Sequence, residues 1–214
     1  MNPLSYFLLA FTAVLAATAN AGGPPVLDIN GQPIFGGSYY VLPAISGPAG
    51  GGLTLSPLGD KPCPLYIGQE PSEVERGIPV KFSNWRSRVP FVPESADLNI
   101  EMDVAATICV QSTYWSVVPS NLPIMNLYVE AGPKPKPGED SWNSFFQIKK
   151  TGEFHNGYNI EFCPNGGSCM SVGISTDEHG VRRLALLGTT QPFPFVFMKA
   201  SETETSSKKT MSII

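Results

Sequence analysis

The sequence predicts an all-β domain, a closed barrel or a sandwich. Three features predict it. Short apolar stretches recur along the chain, about a dozen in all, separated by Gly, Pro and Asn turn signals. One of them, Leu98–Asp103 (LNIEMD), alternates apolar and polar residues as a half-buried strand does. No stretch sustains a 3.6-residue apolar period, so helices have little claim on the chain.

The elements follow in order. Ser38–Leu42 and Leu53–Leu55 come after the turn signals Asn30-Gly31 and Gly36-Gly37, with Gly47–Gly52 as a flexible connection. Leu65–Gly68, Pro79–Phe82, Leu98–Asp103, Thr107–Gln111, Trp115–Val118 and Met125–Val129 are the next strand candidates. Gly132–Asp140 (GPKPKPGED) is an irregular surface loop. Phe145–Lys149, Tyr158–Phe162, Ser171–Ser175, Leu184–Leu187 and Phe195–Met198 complete the set. Arg182-Arg183 reads as a surface pair at the start of a strand.

At the N-terminus, Phe7–Ala17 is an apolar run followed by Ala19-Asn20-Ala21, a small-residue cleavage pattern. Residues 1–21 therefore read as a secretory signal peptide; the run is too short for a membrane anchor. Residues 22–200 have a length suited to one domain, and the polar tail 201–214 reads as disordered or trimmed. The net charge of −4 leaves no nucleic-acid footprint. No N-x-S/T sequon occurs, so N-glycosylation is not expected.

Four cysteines, Cys63, Cys109, Cys163 and Cys169, enter an oxidising compartment on this reading, where disulfides form. They allow three pairings. The sequential one is the most economical, closing a long loop worth roughly 4 kcal/mol and a tight one worth roughly 2 kcal/mol. A zinc site is the alternative, but neither a second C-x2-C pair nor a His pair has the needed spacing.

Catalytic chemistry has little support. His155 and His179 both lie in turns, and Asp177 near His179 belongs to the charged turn TDEHG rather than to a buried triad. There is no G-x-S-x-G, phosphate loop or H-E-x-x-H, and Glu70, Glu73 and Glu75 read as a solvated segment. The chain is not expected to be an enzyme, and no cofactor or metal is implied. Tyr39, Tyr40, Trp115, Trp142, Phe145 and Phe146 could line a sugar site, although aromatic residues are more often core.

The stretch Phe82–Pro93 (FSNWRSRVPFVP) is more informative. Pro90 biases Val89 toward an extended conformation, and Pro90 and Pro93 lack the N–H groups that a central strand needs. The result is an extended, exposed loop that presents Arg86 and Arg88 beside Trp85. A trypsin-like protease accepts that shape and charge in its primary specificity pocket. An ordinary surface loop with solvated arginines is the plainer alternative.

Several stretches together resemble the Kunitz-type family named after soybean trypsin inhibitor. VLDINGQPIFGGSYYVLP resembles the family's opening strand, and Cys63-Pro64-Leu65 its first-cysteine motif. SADLNI, Trp115–Val118, YNIEFCP and GISTDEHGVRRL match later pieces in order, over Val26–Lys199. The resemblance implies a β-trefoil of twelve strands, a six-stranded barrel with a six-stranded cap. It implies the disulfides Cys63–Cys109 and Cys163–Cys169, a secreted or vacuolar protein of seed storage tissue, and a monomer. It also implies reversible, substrate-like inhibition of trypsin-like serine proteases through the loop Trp85, Arg86, Ser87, Arg88, Val89, Pro90. Counting back from FVPESADLNI puts the scissile bond at Arg88-Val89; counting forward from Gly77-Ile78 points to a loop one residue longer and to Arg86-Ser87 as a rival. Phe35 stands where the family usually has an asparagine that stiffens the loop. We expect Phe35 to support the loop base by packing instead, with Trp85 the nearest large apolar residue of the loop by sequence. Pro90 removes an N–H that commonly bonds to the protease. These departures keep two other readings open: a storage or defence trefoil with weak or no inhibition, and a carbohydrate-binding trefoil.

Overall fold

A computed structural model describes residues 23–45, 47–85, 88–117, 127–136, 143–164, 168–186 and 192–201. The expected signal peptide and nearly all of the polar tail lie outside these residues. Twelve strands run through the described chain: β1 (Tyr39–Pro43), β2 (Leu53–Pro57), β3 (Leu65–Gln69), β4 (Val80–Ser83), β5 (Asn99–Met102), β6 (Tyr114–Val117), β7 (Leu127–Gly132), β8 (Phe146–Lys150), β9 (Tyr158–Phe162), β10 (Met170–Thr176), β11 (Arg182–Leu186) and β12 (Phe195–Lys199). No helix among the described residues is long and apolar enough to cross a membrane.

Six strands close a ring. β1 pairs with β12 and β4, β4 with β5, β8 with β9, and β9 with β12, all antiparallel. The gap between β5 and β8 is closed where Leu98, just before β5, and Phe146, the first residue of β8, exchange two backbone hydrogen bonds of 2.9 and 3.0 Å. A closed ring leaves no unpaired edge along its wall. Alternation points Val80, Phe82, Ile148, Ile160, Phe195 and Phe197 inward, where they are buried. Edge-to-face ring contacts join elements across the core: Phe82 of β4 meets Phe197 of β12 at 5.5 Å, and Trp115 of β6 meets Phe146 of β8 at 5.5 Å. Each such pair is worth about 0.5–1.5 kcal/mol beyond its area burial.

The other six strands form three hairpins, β2–β3, β6–β7 and β10–β11. They meet in a triangle: Tyr66 of β3 lies opposite Glu130 of β7, Tyr128 of β7 opposite Ala185 of β11, and Arg183 of β11 opposite Gly68 of β3. A six-stranded barrel capped by a triangle of hairpins is a β-trefoil.

Two expectations are corrected here. Thr107–Gln111 is a turn rather than a strand. Cys109 is bonded to Cys63, the Val110 N–H donates to the Thr107 carbonyl at 3.0 Å, and Val110 has φ +50°. The apolar residues that suggested a strand, Ile108 and Val110, are exposed. The Arg182-Arg183 pair is not a surface pair. Arg183 is buried; it donates to Asp177 from Nε at 3.1 Å and Nη2 at 3.0 Å, and to Ser56 Oγ at 2.6 Å. Arg182 is half-buried and donates to Gln69 Oε1 at 2.8 Å. The cap is thus pinned by a guanidinium that reaches from β11 to β2.

Burial pushes the Asp177 carboxyl up, but the hydrogen bonds from Val181 N–H, Arg183 and His179 N–H, with the Arg183 charge, outweigh it and hold the group below its ordinary value. A depressed carboxylate contributes stability above its unfolded pKa and loses it as pH falls through the folded value. Asp177→Asn leaves a buried guanidinium without its counter-charge, and we expect it to cost about 3 kcal/mol at neutral pH in urea unfolding. The gap between variant and parent should close as pH drops below the carboxylate range; a gap independent of pH would contradict the assignment.

Candidate functional site

The β4–β5 connection, residues 84–98, carries the arginine loop, and the fold holds it from both ends. On the entering side the strands pair up to Ser83 opposite Asn99. Asn84 follows with φ +60°, a left-handed turn that asparagine tolerates. Its Nδ2 donates to Asn99 Oδ1 at 2.8 Å, and Asn99 Nδ2 donates in turn to the Ser144 carbonyl at 2.7 Å. Asn99 is 1% exposed, so this amide relay runs through the interior, where hydrogen bonds are hard to replace.

On the leaving side Val92 is fully buried. Its N–H donates to the Ile34 carbonyl at 2.8 Å, and its carbonyl accepts from Val26 N–H at 2.9 Å. Glu94 N–H donates to the Pro24 carbonyl at 2.8 Å, and Ser95 N–H to the Ile148 carbonyl at 2.9 Å. The N-terminal segment is held in turn by Asp28, whose Oδ1 accepts from Asn30 and Gln32 N–H groups across the Asn30-Gly31 turn. Burial pushes the Glu94 carboxyl up, opposed by the charge of Lys150.

Between these anchors Arg88 and Pro90 are exposed and Val89 is half-buried. Arg86 and Ser87 lie outside the described residues. Trp85 packs partly buried against the core cluster, and its Nε1 donates to the Val89 carbonyl at 3.0 Å. The structure therefore brings Trp85 and Val89 together with Arg88 between them. Phe35 sits beside the leaving side of the loop, next to Ile34. Its ring is 47% exposed, and its N–H faces the Tyr39 hydroxyl at 3.4 Å. Among the described residues no ring pair joins Phe35 to Trp85, because the indole is turned to Val89 and the core.

Cys63 pairs with Cys109 and Cys163 with Cys169, so no cysteine is free, and the cluster of Glu161 with Cys163 and Cys169 offers no thiolate to a metal. His179 gives Asp177 only its backbone N–H. Tyr39, Tyr40, Trp115 and Phe146 are buried and unavailable to stack on a sugar, Phe145 is half-buried, and Trp142 lies outside the described residues.

A disulfide-braced β-trefoil that holds an arginine-bearing loop at both ends defines the class of protein. The sequence matches the family described as trypsin and protease inhibitor, of legume Kunitz type, over residues 26–199. Kunitz trypsin inhibitor 4 of Arabidopsis thaliana is 54% identical, with 97% of this chain and 96% of that one covered. The alpha-amylase/subtilisin inhibitor of rice, Oryza sativa subsp. japonica, is 39% identical, with 92% and 94% covered. Soybean trypsin inhibitor in its complex with porcine pancreatic trypsin superposes with a TM-score of 0.68 at 32% identity, over 83% of this chain and all of that one (100%). The chain belongs to the Kunitz-type protease inhibitor family, whose members are inhibitors rather than enzymes.

Alternation along β5 places Asn99 outward with Glu101, so the residue pattern does not announce the amide relay. Asn99→Ala removes the acceptor of Asn84 and the donor to Ser144, so we expect it to cost about 2 kcal/mol in unfolding and to speed proteolysis within residues 84–98. Unchanged stability and unchanged cutting would show that the relay does not support the loop.

Proposed function

We propose that this chain is a reversible, substrate-like inhibitor of trypsin-like serine proteases, with Arg88 entering the primary specificity pocket and Arg88-Val89 the bond presented. The observation that carries the reading is an exposed Arg88 on a loop hydrogen-bonded to the barrel on both sides. A loop ordered before binding loses little entropy on binding, so an interface of about 1,600 Å² can be tight. Beside Phe35, the Ile34 carbonyl supports the loop by accepting the Val92 N–H. Pro90 has no N–H, so the complex forgoes one backbone hydrogen bond to the protease. Residues 1–21 direct the chain into the secretory route as a signal peptide, where the two disulfides form, and it acts as a monomer in plant defence or seed storage.

Arg88→Ala should weaken inhibition of trypsin by roughly thirtyfold or more, as truncation of a buried anchor does. Arg86→Ala should change it far less. A larger effect at Arg86 moves the bond to Arg86-Ser87. Inhibition that neither change affects, or its absence in the parent chain, favours a storage or defence trefoil without this activity.

A further inference from the structure

The Trp85 indole joins two residues on opposite sides of the presented bond. Trp85 precedes both Arg86-Ser87 and Arg88-Val89, and Val89 follows the first and begins the far side of the second. The Nε1–H donates to the Val89 carbonyl at 3.0 Å, and the ring is packed against the core from below. We propose that Trp85 is a positioning residue that holds the leaving side of the loop against the acyl side after the bond is cut, so that the bond re-forms faster than water removes the acyl group. The inference rests on the reading of the chain as a protease inhibitor.

The chemistry sets what such a clamp does. The protease serine oxygen bonds to the Arg88 carbonyl carbon, the Arg88–Val89 C–N bond breaks, and the serine proton ends on the Val89 nitrogen as a free amine. Return runs in reverse: the amine attacks the ester carbon, the serine oxygen leaves, and it regains its proton. Water competes for the same ester carbon. The Val89 nitrogen and carbonyl carbon share one α-carbon, so a bond to the Val89 oxygen confines the amine as well. Confinement beside the ester favours return over diffusion away, as for any reaction made intramolecular. The backbone ties at Val92 hold the same side more distantly, four residues beyond Arg88. The Trp85 clamp acts at Val89 itself.

The test replaces Trp85 with Phe, which keeps an aromatic ring but has no N–H. A second variant carries benzothienylalanine at position 85, which changes the N–H to sulfur at nearly constant shape. Each full-length chain is incubated with a catalytic amount of trypsin at neutral pH, from the intact and from the cut form, until the ratio of intact to cut chain is constant. Both variants should move that ratio about fivefold toward the cut form, the effect of one neutral hydrogen bond, and re-form the bond more slowly, with the thermal midpoint of the benzothienylalanine chain lowered by only about 2–4 °C. A ratio and resynthesis rate equal to the parent's in the benzothienylalanine chain, with trypsin still inhibited, would overturn the inference and leave the inhibitor reading intact. A parent chain that trypsin neither binds nor cuts in this loop overturns the inhibitor reading, and this inference with it.

Discussion

Closure of the barrel between Leu98 and Phe146 is the contact on which the remainder depends. The two residues exchange backbone hydrogen bonds at the only junction of the ring that no named strand pair spans among the described residues. Without it the wall would open between β5 and β8 and expose the aromatic interior around Phe146. The same junction serves the loop. Asn99 adjoins Leu98, and Ser144 lies two residues before Phe146, so the bridge brings the Asn99 amide to the Ser144 carbonyl. Asn84 then rests on an amide whose position the closed barrel has already set.

The loop inherits its order from this frame. Its entering side hangs from the relay, and its leaving side from the N-terminal segment through Val26, Ile34 and Val92. The N-terminal segment is itself fastened to the barrel: Ile29 N–H donates to the Phe197 carbonyl, and Leu27 N–H to the Tyr158 hydroxyl at 2.9 Å. Hydrogen bonds of this kind are each worth about 0.5–1.5 kcal/mol net. Their joint effect is geometric: they hold an exposed arginine between two fixed points.

Much of the fold was legible because it depends on period and punctuation. Alternation located β5, and Gly, Pro and Asn turn signals set off short stretches at β4, β8, β9 and β12. Thr107–Gln111 misled because its apolar residues suggested burial, whereas the Cys63–Cys109 bond draws the segment into a turn with Ile108 and Val110 outside. Arg183 misled for the opposite reason. A charge reads as surface unless its partners are known, and those partners, Asp177 and Ser56, are brought to it by a turn and by a hairpin distant in sequence. At the site, the exposure of Arg88 on an irregular β4–β5 connection could be read from the order of residues. The supports could not: the Asn99 relay joins residues far apart in the chain, and no pattern of residue types announces that the Trp85 indole donates to the Val89 carbonyl.

The central claim is that the barrel presents one arginine bond in a form that a protease can bind but only slowly consume. The most direct measurement is a titration of active-site-calibrated trypsin with the purified chain, followed by mapping of every cut. The account requires a linear loss of activity to an endpoint at equal molar amounts, with any cut confined to the Arg86–Val89 stretch and the two pieces still associated. Full residual activity, with cleavage at lysines and arginines throughout the chain, would contradict it.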